Sequence, residues 1–291
     1  EIDYKYPATN AYFAYMTRGC VNKCRFCAVP TIEPFYIDYV PLKKQIQMVN
    51  KKYGKKKDLL LLDNNVLASS KFNQIIDEIK EAGFYNGAKL NNSFRHVDFN
   101  QGIDLRLLTK GKMKRLAELP IKPLRIAFDH IGLKYKYIEK MEWADELGLT
   151  RLSNYILYNF EDTPENFYER LRINVELNER LGTQIFSFPM KYIPVKNKDR
   201  KFAGKHWTPR YLRSIQCILQ ATHGVVGPRK EFFEAAFGKN VEEFKKLLLM
   251  PDNYIIFREN HKYNGTADWN RLLSALSSQQ KADFLDIVNK N

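Results

Sequence analysis

The chain has 291 residues, of which 44% are hydrophobic, and a formal net charge of +14 at pH 7. These values are typical of a globular protein with one large barrel or two ordinary domains. No run of about 18 apolar residues and no signal-peptide core occurs, which excludes a membrane span and favours a cytoplasmic protein without a membrane partner. The positive charge attracts phosphates, anionic cofactors or nucleic acid, although a lysine-rich surface explains it equally well.

Strand-like apolar runs alternate with helix-like amphipathic segments up to about residue 221. The predicted strands are Ala11 to Met16, Asp58 to Leu62, Val97 to Phe99, Leu124 to Phe128, Leu152 to Leu157 and Gln184 to Phe188. The predicted helices are Pro41 to Tyr53, Ser70 to Ala82, Thr109 to Leu119, Lys134 to Leu147, Thr163 to Leu181 and Pro209 to Ala221. After them the pattern consists of short helices alone.

Six β/α units in succession require right-handed crossovers and a parallel sheet, which curls into a full or partial barrel or lies open. We therefore predict an α/β fold with a parallel sheet over residues 1–221 and an α-rich C-terminal extension over residues 222–291. The active site of such folds lies at the carboxyl ends of the strands. Asp63, Gln101, Asp129, Tyr158 and Met190 follow predicted strands and are expected at one mouth.

Three of the four cysteines lie close together, at Cys20, Cys24 and Cys27. Such crowding is the opposite of a disulfide framework and is typical of metal ligands in a reducing compartment. The spacing C-x3-C-x2-C supplies three thiolates for a cubane [4Fe–4S] cluster and leaves its fourth iron without a protein ligand. A zinc site and a plain electron-transfer cluster are the alternatives. Zinc needs a fourth ligand, for which distant Cys217 or one of five histidines is available. Cys217 itself is predicted to be a buried core residue.

The cysteine motif follows the first predicted strand and has an aromatic residue, Phe26, directly before its last cysteine. It resembles the radical S-adenosylmethionine (SAM) superfamily, over about residues 11–194. Among the open alternatives, this resemblance implies a partial (β/α)6 TIM-like barrel for residues 1–221. The flanks Thr17-Arg18-Gly19 and Ala28-Val29-Pro30 are similar to those of methylthiotransferases and cobalamin-dependent members. The resemblance implies that SAM binds the open iron and is cleaved to a 5′-deoxyadenosyl radical, which abstracts hydrogen from an unactivated carbon. A flavodoxin- or ferredoxin-type reductant is the implied partner.

The resemblance also implies a set of SAM-binding residues. The superfamily often has Gly-Gly-Glu after the second strand; this chain has Leu62-Asp63-Asn64-Asn65, so Asp63 and Asn64 would accept from the SAM amino group. After the third strand, Gln101 or Asp104 is expected at the ribose hydroxyls, and Arg106 or Arg125 at the SAM carboxylate. Phe26, in the cluster loop, completes this part of the set.

Residues 156–163 are similar to a fifth-strand motif written Ile-Val-Gly-Phe-Pro-Gly-Glu-Thr in related enzymes. The match implies that Ile156 and Tyr158 line the adenine of SAM, while both glycines are replaced here, by Tyr158 and Glu161. Tyr158, Met190 and Lys191 are candidates for guiding the substrate radical, by position alone.

A basic segment with interleaved aromatic residues extends from Lys191 to Arg213. Its cations are Lys191, Lys196, Lys198, Arg200, Lys201, Lys205, Arg210 and Arg213, against the single acid Asp199, and its rings include Tyr192, Phe202, His206, Trp207 and Tyr211. This pattern fits phosphate contacts beside stacking surfaces for bases. A solvated loop whose rings pack on the barrel, an anionic small substrate, cobalamin phosphate and a protein partner are the alternatives.

The leading hypothesis is a radical SAM enzyme that modifies an unactivated carbon of an anionic substrate or nucleic acid, with methylation as one reaction and cobalamin as one further cofactor. Because the sequence begins at Glu1, a cobalamin-binding domain upstream or on a separate protein stays open. The competing hypothesis is a non-catalytic iron–sulfur module that binds nucleic acid or a protein and has no affinity for SAM.

Overall fold

The computed structural model describes residues 10–196, 201–257 and 265–290. The chain divides into two compact units. Of the described residues, the first unit contains 10–128, 133–155 and 181–184, and the second contains 129–132, 156–180 and those after 184. No helix among these residues is long and apolar enough to cross a bilayer.

Eight strands and twelve α-helices are found in the described residues. The strands are β1 Ala11–Ala14, β2 Asp58–Leu61, β3 Lys89–Leu90, β4 Ser93–Phe94, β5 Val97–Phe99, β6 Leu124–Arg125, β7 Arg151–Tyr158 and β8 Gln184–Lys191. The helices are α1 Val29–Ile32, α2 Leu42–Tyr53, α3 Phe72–Glu81, α4 Lys110–Leu116, α5 Lys134–Glu146, α6 Pro164–Arg180, α7 Pro209–Ala221, α8 Lys230–Phe237, α9 Val241–Leu249, α10 Asp252–Ile256, α11 Gly265–Ala275 and α12 Ser278–Lys290.

Apart from the short antiparallel pair β3–β4, the strands of the first unit are parallel and follow one another in chain order. β1 pairs with β2, with Phe13 opposite Leu60, and β2 pairs with β5. Parallel bridges join Val97 to Ile121 and Ile103 to Ile126, on either side of β6. β6 then pairs in parallel with the first part of β7. This order confirms the predicted α/β class with parallel strands; barrel closure stays a prediction.

Burial explains why the leucine run of β2 forms a strand. Leu59 and Leu61 are fully buried, as are Val97 and Phe99 of the neighbouring β5, whereas Leu60 is half-buried. Alternate side chains of a strand point to opposite faces, so one face of this sheet carries the apolar core. The carboxyl ends of β1, β2 and β5 consequently meet at one edge of the sheet.

A short hairpin, β3–β4, was missed by the sequence analysis. Its strands pair Lys89 with Phe94 and Leu90 with Ser93. Asn91 and Asn92 between them have φ values of 48° and 62°, the left-handed conformation that two-residue hairpin turns require and that asparagine tolerates. The asparagine doublet was the available signal.

The second unit is built around aromatic side chains. Phe167 and Tyr168 of α6 pack against Phe233, Phe237 and Phe244 of α8 and α9. Helix α6 begins as predicted, because the Thr163 hydroxyl accepts from the Asn166 N–H at 3.2 Å. Cys217 is fully buried in this core, as predicted. The predicted domain boundary at residues 221 and 222 stays a prediction.

Arg170 of α6 is a fully buried cation in the second unit. Its guanidinium donates to the carbonyl oxygens of Asp129 at 3.0 Å and Leu157 at 2.6 Å, and to the carboxylate of Asp162 at 2.9 Å. A buried charge is tolerated only when it is paired and hydrogen-bonded. Arg170 therefore connects α6 to the segment after β6, to the end of β7 and to the loop that follows β7.

We expect Arg170→Met to lower the free energy of unfolding by about 3 kcal/mol or more, because it leaves the Asp162 carboxylate buried without its cation. Methionine retains much of the side-chain volume, so the loss reflects charge rather than a cavity. Arg172→Met on the same helix is the control; Arg172 is 40% exposed, and we expect a change within about 0.5 kcal/mol. Urea denaturation followed by circular dichroism measures both, and equal effects would contradict the prediction.

Candidate functional site

The three clustered cysteines lie on the loop that follows β1. An antiparallel bridge closes the base of this loop, with the Arg18 N–H donating to the Ile37 oxygen at 3.1 Å and the Ile37 N–H donating back at 2.9 Å. Within the loop, the Cys27 N–H donates to the Cys24 oxygen at 3.0 Å, which makes a tight turn. The loop is therefore fixed at its base and at its tip.

Glu33 holds the first part of the loop in place. Its carboxylate accepts from the Arg18 guanidinium, from the Gly19 N–H at 2.7 Å and from the Asn64 amide at 2.9 Å. The hydrogen bond from Arg18 is the largest of the effects that hold the pKa of Glu33 below its ordinary value. Sequence analysis missed Glu33, because nothing in the local pattern distinguishes it from a surface acid.

Hydrogen-bond donors meet all three cysteine sulfurs. The Asn22 N–H and the Asn65 amide each lie 3.4 Å from Cys20 Sγ, and the Val29 N–H lies 3.5 Å from Cys27 Sγ. Both terminal nitrogens of Arg106 lie 3.7 Å from Cys24 Sγ. Donors directed at sulfur stabilise its negative charge, and they are among the features that tune iron–sulfur clusters.

In the described part of the chain, no three His, Cys, Asp or Glu side chains form a group that could hold a single metal ion. A cubane binds each cysteine through a different iron, so its thiolates need not converge on one point. The three thiols with their donors fit such a cluster by the chemistry of the donor set.

Asp63, directly after β2, anchors the start of the cysteine loop. Its Oδ1 accepts from the Met16 N–H at 2.9 Å, from the Thr17 N–H and from the Thr17 hydroxyl at 2.7 Å. Its Oδ2 is buried without a hydrogen-bond partner among the described residues, as is Oδ1 of Asn65. Burial raises the pKa of Asp63 to about 6. Two buried acceptors thus remain beside the cysteine loop.

Asp104 and Arg106, after β5, form a network with the loop. Asp104 accepts from the Asn22 amide at 2.7 Å, from the Asn65 amide at 3.3 Å and from Arg106 Nε at 2.8 Å. Although burial opposes it, the hydrogen bonds from Arg106 hold the pKa of Asp104 below its ordinary value. The hydrogen bond to Asp104 raises the pKa of Arg106. The guanidinium is thus engaged by Asp104 and Cys24.

Other predicted SAM-binding residues of the first unit lie outside this network. Arg125 forms a two-point ion pair with Asp98, at 2.8 and 2.9 Å. Gln101 is exposed and donates to the Asn100 side chain at 3.4 Å. Phe26 is half-buried in the cysteine loop. Of the residues predicted from the sequence, the structure therefore brings together the cysteines, Asp104 and Arg106, with Asp63 and Asn64 supporting the loop.

Ile156, Tyr158 and Lys191 belong to the second unit, as do Asp129 and Met190. The Ile156 side chain is fully buried in the core, and Tyr158 packs on Phe167 and Trp207 with ring centroids 5.1 and 5.5 Å apart. The predicted convergence of these residues with the cysteine loop, and their predicted contacts with adenine and substrate, stay predictions.

Asn159, after β7, adopts a left-handed conformation with φ of 70°. Its amide donates to the oxygens of Tyr192 at 2.9 Å and Phe202 at 3.0 Å, and its oxygen accepts from the Gly204 N–H at 2.8 Å. Asparagine tolerates this backbone, and its side chain fixes the loop after β8. The sequence match placed the motif's glycines at Tyr158 and Glu161, so it did not predict the left-handed backbone of Asn159.

Lys198 and Arg200 of the predicted basic segment, with Asp199, lie outside the described residues. His206 is exposed, whereas the other described rings of the segment pack on the protein. Tyr192 contacts Phe160 and Phe202, with ring centroids 4.8 and 5.5 Å apart. Trp207 is buried, and its indole N–H donates to the Asp162 oxygen at 2.9 Å. Of the alternatives, a loop whose rings pack inward agrees with these contacts.

Comparisons with known proteins give structural neighbours only. No family model and no curated protein matches the chain. The neighbours include Streptococcus suis SuiB bound to S-adenosylmethionine, with 14% identity and a TM-score of 0.44 over 69% of this chain and 44% of that one. A second structure of SuiB has 14% identity and a TM-score of 0.48 over 74% of this chain and 46% of that one. SuiB bound to the precursor peptide SuiA has 12% identity and a TM-score of 0.47 over 74% of this chain and 47% of that one. The chain spans less than half the length of SuiB.

Gly19 must be glycine for the loop to close as it does. Its φ is 68°, and a Cβ there would lie 2.3 Å from the Phe35 oxygen. We expect Gly19→Ala to lower the free energy of unfolding by about 3 kcal/mol, from backbone strain and this clash together. Gly148, just after the end of α5, is the matched control, because its φ is 72° with open space around it. Gly148→Ala should cost about 1 kcal/mol. Equal losses in thermal and urea unfolding would contradict the role of the close contact.

Asp63 predicts a specific dependence of stability on pH. Its folded pKa of about 6 lies above its ordinary 3.8, so the folded state binds the proton more tightly. The contribution of Asp63 to stability is complete below pH 3.8 and is lost as the pH rises through about 6, by about 3 kcal/mol in total.

Urea denaturation from pH 4 to pH 7 tests this dependence, with Asp63→Asn as a variant that cannot titrate. We expect the free energy of unfolding of the native protein, relative to that of Asp63→Asn, to fall as the pH rises to about 6 and to level off by pH 7. A relative stability that rises with pH would show that the carboxylate form is preferred in the folded protein.

Proposed function

We propose that this chain is a radical SAM enzyme. The observation that carries the proposal is the cysteine loop at the carboxyl edge of a parallel sheet, with donors directed at all three sulfurs. A structural zinc site needs a fourth ligand, whereas three thiolates suit a cluster with one open iron.

Cys20, Cys24 and Cys27 would hold a [4Fe–4S] cluster. When bound, the cluster would supply an open iron for SAM and one electron for the reductive cleavage of SAM, the chemistry that would generate a 5′-deoxyadenosyl radical able to take hydrogen from an unactivated carbon. The protein's part is to hold the thiolates and to orient SAM. Asn65 and Arg106 serve the first task, because each donates to a cysteine sulfur.

The buried acceptors beside the loop suit the SAM amino group. Asp63 Oδ2 and Asn65 Oδ1 both lack a hydrogen-bond partner among the described residues, and an ammonium group would satisfy two such oxygens. Asn65 also contacts Cys20 Sγ, so an amino group bound there would lie next to the cluster ligands. This assignment keeps the predicted role of Asp63 and replaces Asn64, whose amide is used by Glu33.

The SAM carboxylate needs a cation, and Arg106 is the candidate next to the cysteines. Its guanidinium has five N–H donors, and Asp104 and Cys24 leave it able to turn a further N–H toward a ligand. Gln101 and Asp104 remain the proposed partners of the ribose hydroxyls.

The finer form of the proposal rests on the sequence resemblance alone. Methyl transfer to an unactivated carbon, with cobalamin as a second cofactor, follows from the loop flanks Thr17-Arg18-Gly19 and Ala28-Val29-Pro30. A flavodoxin- or ferredoxin-type protein is the proposed electron donor, and the cytoplasm is the proposed compartment, since the cysteines must stay reduced.

Anaerobic reconstitution with iron and sulfide, followed by SAM and dithionite, tests the proposal. We expect an electron paramagnetic resonance signal of a reduced [4Fe–4S] cluster and formation of 5′-deoxyadenosine. Cys24→Ala should lose about 90% or more of both, because the thiolate is a cluster ligand. Cys217→Ala is the control and should retain both, since Cys217 lies in the core of the second unit.

Two results would contradict the proposal. A cluster that forms but neither binds SAM nor yields 5′-deoxyadenosine would indicate a non-catalytic iron–sulfur module. Failure of the native protein to take up iron and sulfide, with zinc bound stoichiometrically instead, would indicate a structural zinc site.

A further inference from the structure

The second unit contains a cavity of about 1090 Å³, which we name the basic cavity. It lies between the end of β8, with Lys191 and Ile193, and one face of α7. Its volume is at the upper end of the range for small-molecule sites, so it also has room for a short polymer segment.

One stripe of α7 forms a wall of the basic cavity. Leu212, Gln216, Leu219 and Gln220 line it, with spacings of three and four residues that place them on the same face of a helix. The aliphatic side chains of Leu212 and Leu219 lie next to the exposed amides of Gln216 and Gln220, which are four residues apart. This wall offers apolar contact and paired hydrogen-bond donors and acceptors side by side.

The charge of the basic cavity is positive. Lys191, Lys201 and Arg213 line it, and none of its described lining residues is acidic. Arg213 pairs with Asp252 at 2.7 Å, but Arg210 shares the same carboxylate at 2.8 Å, so this acid balances only one of two arginines. Burial lowers the pKa of Lys191, an effect that a bound carboxylate would offset.

The chemistry of the wall distinguishes between classes of anionic ligand. Single-stranded nucleic acid needs aromatic faces for its bases, and Trp207 and Tyr192 turn their rings into the protein instead. Tyr158 is the aromatic residue of the lining, and it is 5% exposed. Aliphatic side chains with neighbouring glutamine amides match instead a peptide, whose backbone carries an N–H and a C=O at every residue.

We propose that the basic cavity binds a peptide segment that combines acidic and aliphatic side chains. Its carboxylates would pair with Lys191, Lys201 and Arg213, its aliphatic groups would pack on Ile193, Leu212 and Leu219, and its backbone would bond to Gln216 and Gln220. The proposal goes beyond the proposed function and does not depend on it, because binding requires neither cluster nor SAM.

Fluorescence anisotropy of the whole chain with labelled probes tests this site. The probes are an eight-residue peptide of alternating Glu and Leu, the same peptide with Lys for Glu, and a single-stranded oligonucleotide of twelve nucleotides. We expect the Glu–Leu peptide to bind at least about tenfold more tightly than the Lys–Leu peptide, with affinity that falls as salt is added.

Two variants locate the binding. Lys201→Ala should weaken binding of the Glu–Leu peptide about fivefold, by loss of one ion pair. Lys239→Ala, at an exposed lysine after α8 that does not line the cavity, should leave the affinity unchanged. Gln216→Glu should weaken it by a similar factor through repulsion. Glutamate has nearly the shape of glutamine, and Gln216 is exposed. A glutamate oxygen can still accept from the Arg213 guanidinium, so the substitution should not affect folding.

Three outcomes would overturn the proposal. The first is equal affinity for the Glu–Leu and Lys–Leu peptides. The second is binding that Lys201→Ala and Gln216→Glu do not change. The third is that the oligonucleotide binds more tightly than the Glu–Leu peptide and that the same two variants weaken its binding, which would assign the basic cavity to nucleic acid. A chain that binds the peptide but forms no 5′-deoxyadenosine would leave this inference standing and contradict only the proposed function.

Discussion

The carboxylate of Asp63 is the constraint on which the candidate site depends. Parallel pairing of β1 with β2 brings the ends of both strands to one edge, and Asp63 Oδ1 then accepts from the backbone of Met16 and Thr17. A buried carboxylate is costly unless its oxygens are bonded, so the position of the loop and the burial of Asp63 are coupled. The register of β1 against β2 therefore fixes the position at which the cysteine loop begins.

Around this anchor, the loop is held by groups that are distant in sequence. Glu33 fixes Arg18 and Gly19 from one side, and Asn65 and Arg106 reach Cys20 and Cys24 from the ends of two other strands. The contacts from Asn65 and Arg106 serve two purposes, since they rigidify the loop and place a donor near sulfur. A site preorganised in this way loses little entropy when a cofactor binds.

In the second unit, the contacts of the basic segment agree with the alternative in which its aromatic residues pack on the protein. The rings of the basic segment pack in the second unit near the turn at Asn159. Lys191, Lys201 and Arg213 line the basic cavity. Sequence pattern cannot distinguish these uses, because an aromatic residue between lysines is compatible with stacking on a base and with packing on a neighbouring helix. The partner of each ring is set by tertiary contacts.

The sequence by itself determined the alternation of strands and helices, the parallel order and the three-thiol loop, because hydrophobic period and cysteine spacing are local properties. Tertiary structure alone decided the roles of Glu33 and Asn65 and the pairing of Arg106 with Cys24, since these contacts join residues 14 to 82 positions apart. Such contacts depend on strand register and loop closure. No local pattern encodes those geometries.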